Sequence, residues 1–209
     1  MTIVSVAGAC SRSGKTALAA TLLRALPAGK AAAVKFTTTE DVFERCPRGT
    51  PCVVCDIDVP YRLIESPDVL RQPGTDTDRL AEAGAARVIW AIAKRKAAAQ
   101  AWRAVEERLG PAPLVVMEGS SVVELARPAT LFFVVHPFLS TERWKPQSGP
   151  LLRQADIAVV NLAASELRRP AAAVLEAARR MRGRDDLLVA DVTKPLREWA
   201  PDVAARLAA

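Results

Sequence analysis

The stretch Ala9-Cys10-Ser11-Arg12-Ser13-Gly14-Lys15-Thr16 constrains this chain more than any other. It has the spacing Ala or Gly, four residues, then Gly-Lys-Ser/Thr. It falls between a strand-like run at 2–7 and a helical pattern at 16–26. A loop that wraps one phosphate must aim successive backbone N–H groups inward. Gly14 permits that close approach because it has no Cβ. Lys15 offers an ammonium to β- and γ-phosphates, and Thr16 offers a hydroxyl to Mg²⁺. The helix that follows adds its positive N-terminal end. These residues predict a P-loop in which Ser11, Arg12, Ser13, Gly14, Lys15, Thr16 and Ala17 hold a nucleotide, with Lys15 in the catalytic role. Ala9 stands where the strict pattern has its first glycine, with Gly8 just before it, so Ala9 needs an αR-compatible backbone.

Downstream, apolar runs alternate with helical patterns, the mark of βαβ units. Strands are expected at 31–36, 87–93, 113–117, 131–135, 157–160 and 187–190. Helices are expected at 77–86, 97–109 and 165–182 and from about 195 onward. The apolar runs are continuous rather than alternating, which suits a mainly parallel sheet covered on both faces. The expectation is an α/β fold of the P-loop NTPase type in one domain, 1–209. Residues 37–72 read as a long irregular loop, and loops of that length are usually functional.

A P-loop protein needs an acid near Mg²⁺, and the buried run Leu114-Val115-Val116-Met117 delivers Glu118 at a strand end, with Gly119 allowing close backbone approach. Glu118 is the expected Mg²⁺ partner and second catalytic residue; Asp56 and Asp58 have weaker claims. Lys35, closing the second strand, is placed to reach phosphate or substrate. Asn161 follows a later strand, where an Asn can read a nucleotide base. The continuation Leu-Ala-Ala lacks the Lys and Asp of a guanine motif, so GTP and ATP both stay open.

The chain has four cysteines, and three follow the spacing Cys46-x5-Cys52-x2-Cys55 in a Pro-punctuated loop. A Cys-x2-Cys pair can turn two thiolates onto one metal. Cys46, Cys52 and Cys55 are therefore candidate ligands for zinc or an iron–sulfur cluster, with Cys10, an Asp or a second subunit's thiolate as fourth ligand. Cys10, at a helix N-terminus, reads as a thiol of lowered pKa or as a plain small residue. His136, before Pro137, reads as structural rather than as a base for a cysteine nucleophile.

Net charge is +6, but Arg is interleaved with Glu and Asp, and aromatics are only 5%, which disfavours nucleic acid as a partner. No apolar run approaches the roughly 18 residues of a membrane span, and the start lacks the pattern of a signal peptide. The expected location is cytoplasmic.

Several segments occur in a telling order: the N-terminal P-loop, Ala33-Val34-Lys35, Pro73-Gly74-Thr75-Asp76-Thr77-Asp78-Arg79 with Ala83-Gly84-Ala85, and Val116-Met117-Glu118-Gly119-Ser120. Together they resemble the molybdopterin-guanine dinucleotide biosynthesis protein B family across most of 1–165. The resemblance implies a GTP-binding, weakly hydrolysing homodimer that assists a partner enzyme of cofactor biosynthesis. Phe36-Thr37-Thr38-Thr39 stand where that family often carries histidines. Two other functions fit the same residues. One is a small-molecule kinase or ligase with Lys35, Asp76, Asp78 or Arg79 facing its substrate. The other is a non-catalytic metal or cluster carrier whose nucleotide site is regulatory; in the cofactor-assembly reading, 37–72 would respond to the γ-phosphate.

Overall fold

The computed structural model describes residues 1–39, 57–112, 114–163 and 169–208. Cys46, Cys52, Cys55 and Asp56 lie outside the described residues. In chain order the elements are β1 (Thr2–Gly8), α1 (Lys15–Ala25), β2 (Ala31–Thr38), β3 (Tyr61–Ile64), α2 (Pro67–Leu70), α3 (Asp76–Glu82), β4 (Arg87–Ala93), α4 (Ala98–Leu109) and β5 (Leu114–Glu118). There follow α5 (Val123–Ala126), β6 (Thr130–Val135), α6 (Ser148–Gln154), β7 (Ile157–Asn161), α7 (Ala172–Arg182), β8 (Leu187–Ala190), α8 (Leu196–Trp199) and α9 (Pro201–Ala208).

The strands form one eight-stranded sheet in the order β3-β4-β2-β5-β1-β6-β7-β8. Every pair is parallel except β3 with β4. Side chains alternate between faces along each strand. Val4 and Val6 of β1 meet Leu18 and Leu22 of α1, while Ile3 belongs to the opposite layer with Trp102 and Val105 of α4. Ala7, Phe133, Val135 and Val160 continue that layer under Leu152 of α6 and Ala178 of α7. Both faces are thus buried, which explains the continuous apolar runs. With the chain reversing at each helix, all the parallel strands point their carboxyl ends to the same edge, the usual place for a ligand in such sheets.

Several expected boundaries are corrected. The stretch 37–72 is not wholly irregular: β2 runs on to Thr38, and Tyr61–Ile64 forms an antiparallel edge strand opposite Trp90–Ala93, written Tyr61↔Ala93 to Ile64↔Trp90. Four residues are too few for a period to be visible. The helix expected over 165–182 starts only at Ala172, because Ala171 is extended after Pro170, and a proline cannot sit within a helix without losing a hydrogen bond. Pro201 likewise divides the C-terminal helix in two. Ser148–Gln154 is a helix not among those expected from the sequence. Pro150 falls in the first turn, where its missing N–H is not needed.

Arg182 shows how the far side is held. Its side chain is fully buried (0% exposed), and it donates to the carbonyls of Leu152 (2.9 Å) and Ala155 (3.1 Å) at the end of α6. It also grips Asp186 at 2.5 and 2.8 Å. The guanidinium satisfies carbonyls that a helix C-terminus leaves unpaired. Arg182→Met should therefore cost about 2–4 kcal/mol, read by urea denaturation. A loss below half a kcal/mol, roughly that of a neutral surface change, would show that the network contributes nothing net.

Candidate functional site

The site forms where α1 and α3 begin, at the carboxyl edge of the sheet. Lys35 of β2 stands opposite Glu118 of β5 on one side and Trp90 of β4 on the other, and Glu118 stands opposite Val6. Residues in register share a face. Val6 and Trp90 belong to the layer beneath α1, so Lys35 and Glu118 turn the same way. There Thr16 Oγ1 donates to Glu118 Oε2 at 2.8 Å. Lys35 Nζ donates to Asp76 Oδ2 at 2.5 Å and to Glu118 Oε1 and Oε2 at 3.2 and 3.3 Å. Asp76 opens α3, held there by Thr75, whose hydroxyl accepts from the Asp78 amide at 3.3 Å.

Charge and burial compete in this cluster. Burial lowers the Lys35 pKa, but Glu118 and then Asp76 outweigh it, and the net direction is up. Burial raises the Asp76 pKa, yet Lys35 and a Thr16 hydrogen bond bring it below the ordinary value. For Lys15 burial wins, and its pKa is lowered despite Glu118. Lys15 Nζ curls back onto its own loop, donating to the Cys10 carbonyl at 2.7 Å.

The loop is also braced by hydrogen bonds from residues distant in the chain. Gly8 cannot carry a side chain. A Cβ there would lie 2.5 Å from Ser13 Oγ and 2.9 Å from Lys15 Cγ. Ser120 Oγ accepts from the Gly8 amide (3.1 Å) and donates to its carbonyl (3.3 Å). Ala9 needs no glycine: it is not among the residues of positive φ, and its methyl packs in the Phe133 layer. Its carbonyl accepts from Lys145 N (2.9 Å) and Ser148 Oγ (3.1 Å). Gly14 has φ +104°, and a Cβ there would lie 2.1 Å from Asn161 Nδ2.

A cleft of about 620 Å³ opens above this floor. Ser11, Arg12, Gly14, Lys15, Thr16, Ala17, Lys35 and Glu118 line it, as do Asp76 and Arg79. The cleft runs on to Thr37 and Trp90, whose indole N–H donates to Thr37 Oγ1 at 3.0 Å. Other expected residues lie elsewhere. Ser13 is buried, its Oγ without a hydrogen-bond partner among the described residues. Asn161 is buried and does not line the cleft. Nδ2 donates to the Ser13 carbonyl (3.1 Å), and Oδ1 accepts from Ala163 N (2.8 Å) and Val192 N (3.4 Å). The amide is used inside the chain, as a brace for the loop, rather than turned toward a base. Asp78 is buried against Arg71 at 3.4 Å rather than facing the cleft, and Asp58 is exposed and away from it. Cys10 is corrected: burial raises its thiol pKa, against weaker opposing effects of Lys15, Lys145 and Arg143. His136 Nδ1 accepts from the amides of Phe138 and Leu139, both 3.2 Å, so it caps a turn. Sequence reasoning missed the brace Ser120 and the cleft-lining Lys145. It placed Asp76 with a substrate, not beside Thr16. Asp76 and Ser120 lie in family-like segments, but their roles are not written there, since each acts through a partner far away in the chain.

No protein-family model and no curated protein sequence matches the chain. Among solved structures it is similar to HypB from Helicobacter pylori in complex with nickel. The TM-score is 0.53 at 13% identity, over 99% of this chain and 85% of that one. That likeness shows the fold, an α/β sheet of the P-loop NTPase type. No helix among the described residues is long and apolar enough to cross a membrane.

Two outcomes follow from this geometry. Asn161→Ala should cost about 1–3 kcal/mol in denaturation and weaken GTP and ATP equally; a changed preference between them would return Asn161 to base recognition. Asp76 has a depressed pKa when folded, so its stabilisation is complete above the unfolded value of about 4 and lost as pH falls through the folded one. Stability of Asp76→Asn should therefore fall less steeply than wild type below about pH 4. Parallel acid limbs would show that the Lys35 pairing is not felt in solution.

Proposed function

We propose that the protein binds a magnesium nucleoside triphosphate, GTP or ATP, and hydrolyses it slowly as a timing step in cofactor assembly. The observation that carries this reading is the convergence of the Thr16 hydroxyl with the Glu118 and Asp76 carboxylates beside the phosphate loop. Hydroxyl and carboxylate oxygens are the donors that Mg²⁺ takes, alongside phosphate oxygens. When bound, the cation neutralises charge on the β- and γ-phosphates. Thr16, Glu118 and Asp76 would hold it. Lys15 would exchange the Cys10 carbonyl for phosphate oxygens, while Gly8, Ser120 and Asn161 keep the loop amides aimed. Such a preformed cradle acts by position and charge, which phosphoryl chemistry chiefly requires.

The finer role follows the resemblance to the molybdopterin-guanine dinucleotide biosynthesis protein B family. It is that of a cytoplasmic homodimeric adaptor, working with a partner enzyme. Cys46, Cys52 and Cys55 would add a zinc or iron–sulfur centre, and a nickel complex of HypB on a similar fold makes metal handling a compatible task. A kinase or ligase is the second reading, favoured by the extension of the cleft past Glu118 to Trp90 and Arg79. It requires phosphoryl transfer stimulated by an acceptor.

Titration with fluorescent GTP and ATP, with and without Mg²⁺, tests the core of the proposal. Lys15→Ala should weaken binding about 10- to 100-fold. Glu118→Gln should bind nucleotide but gain little from Mg²⁺. No binding of either nucleotide by wild type at millimolar concentration would end the nucleotide reading. Metal analysis of anaerobically purified protein should find zinc or iron with sulfide that Cys52→Ser/Cys55→Ser lacks; metal-free wild type would remove the metal centre alone.

A further inference from the structure

Lys35 contacts three of the four carboxylate oxygens of Asp76 and Glu118. Its ammonium lies 2.5 Å from Asp76 Oδ2 and 3.2 and 3.3 Å from the two oxygens of Glu118. Side-chain exposure is 5% for Glu118, 16% for Lys35 and 43% for Asp76, so water screens the Glu118 pairing little and reaches the cluster from the Asp76 side. At the floor Lys15 and Lys35 face Asp76 and Glu118, and three further cations, Arg12, Arg79 and Lys145, line the cleft. A divalent cation drawing on Glu118 and Asp76 must compete with Lys35 for three of their four carboxylate oxygens. Both cannot be accommodated by two carboxylates, since a dication beside two ammonium groups is repelled strongly at low dielectric. A triphosphate changes the balance, bringing several negative oxygens to the same point. Lys35 also lines the cleft, so its ammonium has somewhere to go.

We infer that Lys35 is a positioning residue that excludes free divalent metal from the Asp76–Glu118 pair and yields it only to a metal–nucleotide complex. This inference rests on the nucleotide reading given above. Lys35 acts as an internal counter-ion that keeps the two carboxylates together and is exchanged for the cation when phosphate oxygens arrive to receive the ammonium. Metal and nucleotide affinities are then coupled through one side chain, and coupling of this kind is reciprocal. The arrangement keeps the site from being filled by metal alone and ties cation entry to the substrate.

The experiment titrates Mn²⁺, followed by electron paramagnetic resonance, into the full chain without nucleotide. Lys35→Met should bind Mn²⁺ at least about tenfold more tightly than wild type. Lys35→Gln, a second neutral variant, should shift the same way, and Lys35→Arg should resemble wild type. Adding Asp76→Asn to Lys35→Met should abolish the gain, which separates this site from any other that binds the ion. With a non-hydrolysable nucleotide present, the mutual enhancement of Mn²⁺ and nucleotide should shrink in Lys35→Met. Equal Mn²⁺ affinity in wild type and both neutral variants, with normal nucleotide binding, would overturn the inference and leave the nucleotide reading standing. Failure of wild type to bind nucleotide would sink that reading instead, whatever the metal comparison gives.

Discussion

A carboxylate buried at the end of a central strand is costly unless opposite charge and hydrogen-bond donors surround it. Glu118 is such a group, 4% exposed, and the architecture around it is the compensation. Thr16 comes from α1, Lys35 from β2, and Asp76, joined through Lys35, from α3. No two of these are close in sequence. They meet because β5 lies between β1 and β2, which brings Lys35 into register with Glu118 and sets the mouth of α1 above both. The strand order is therefore what makes the buried acid tolerable.

The same order shapes the loop that follows β1. Its backbone is fixed by Ser120 at the end of β5, by Asn161 at the end of β7, and by Lys145 and Ser148 ahead of and within α6. These contacts come from both sides of β1, so the loop is held like a bridge between abutments. A loop held in place before any ligand arrives need not lose that conformational entropy on binding. Small residues complete the fit. Gly8 and Gly14 leave room for Ser13 and Asn161, and a Cβ on Gly119 would lie 2.8 Å from the Phe36 carbonyl.

Much of this was legible along the chain. The P-loop residues, the buried run into Glu118, and Lys35 at a strand end were each visible from local pattern, because each is marked by its immediate neighbours. The parallel sheet was legible from continuous apolar runs. Asp76 was visible only within a family-like segment and as a candidate substrate contact, because its place beside Lys35 depends on where α3 begins relative to β2. Asn161 was misread for a related reason: an amide at a strand end can face a ligand or a neighbouring loop, and only the packing of β7 beside β6, with the loop above, chooses. Cys10 at a helix start looked activated, but the fold buries it, and desolvation outweighs the nearby cations.

The sequence by itself determined which segments become strands and helices in the main, that the loop after β1 has the phosphate-loop spacing, and which side chains could carry charge to it. Those properties are set by neighbours within a few residues: periodicity, glycine, proline and the lysine and threonine that open α1. Tertiary structure alone decided which charges meet. The pairing of Lys35 with both Asp76 and Glu118, separated by 41 and 83 positions, arises from strand register and sheet order. Electrostatic energy depends on distance in space and on burial, and neither is written in local sequence.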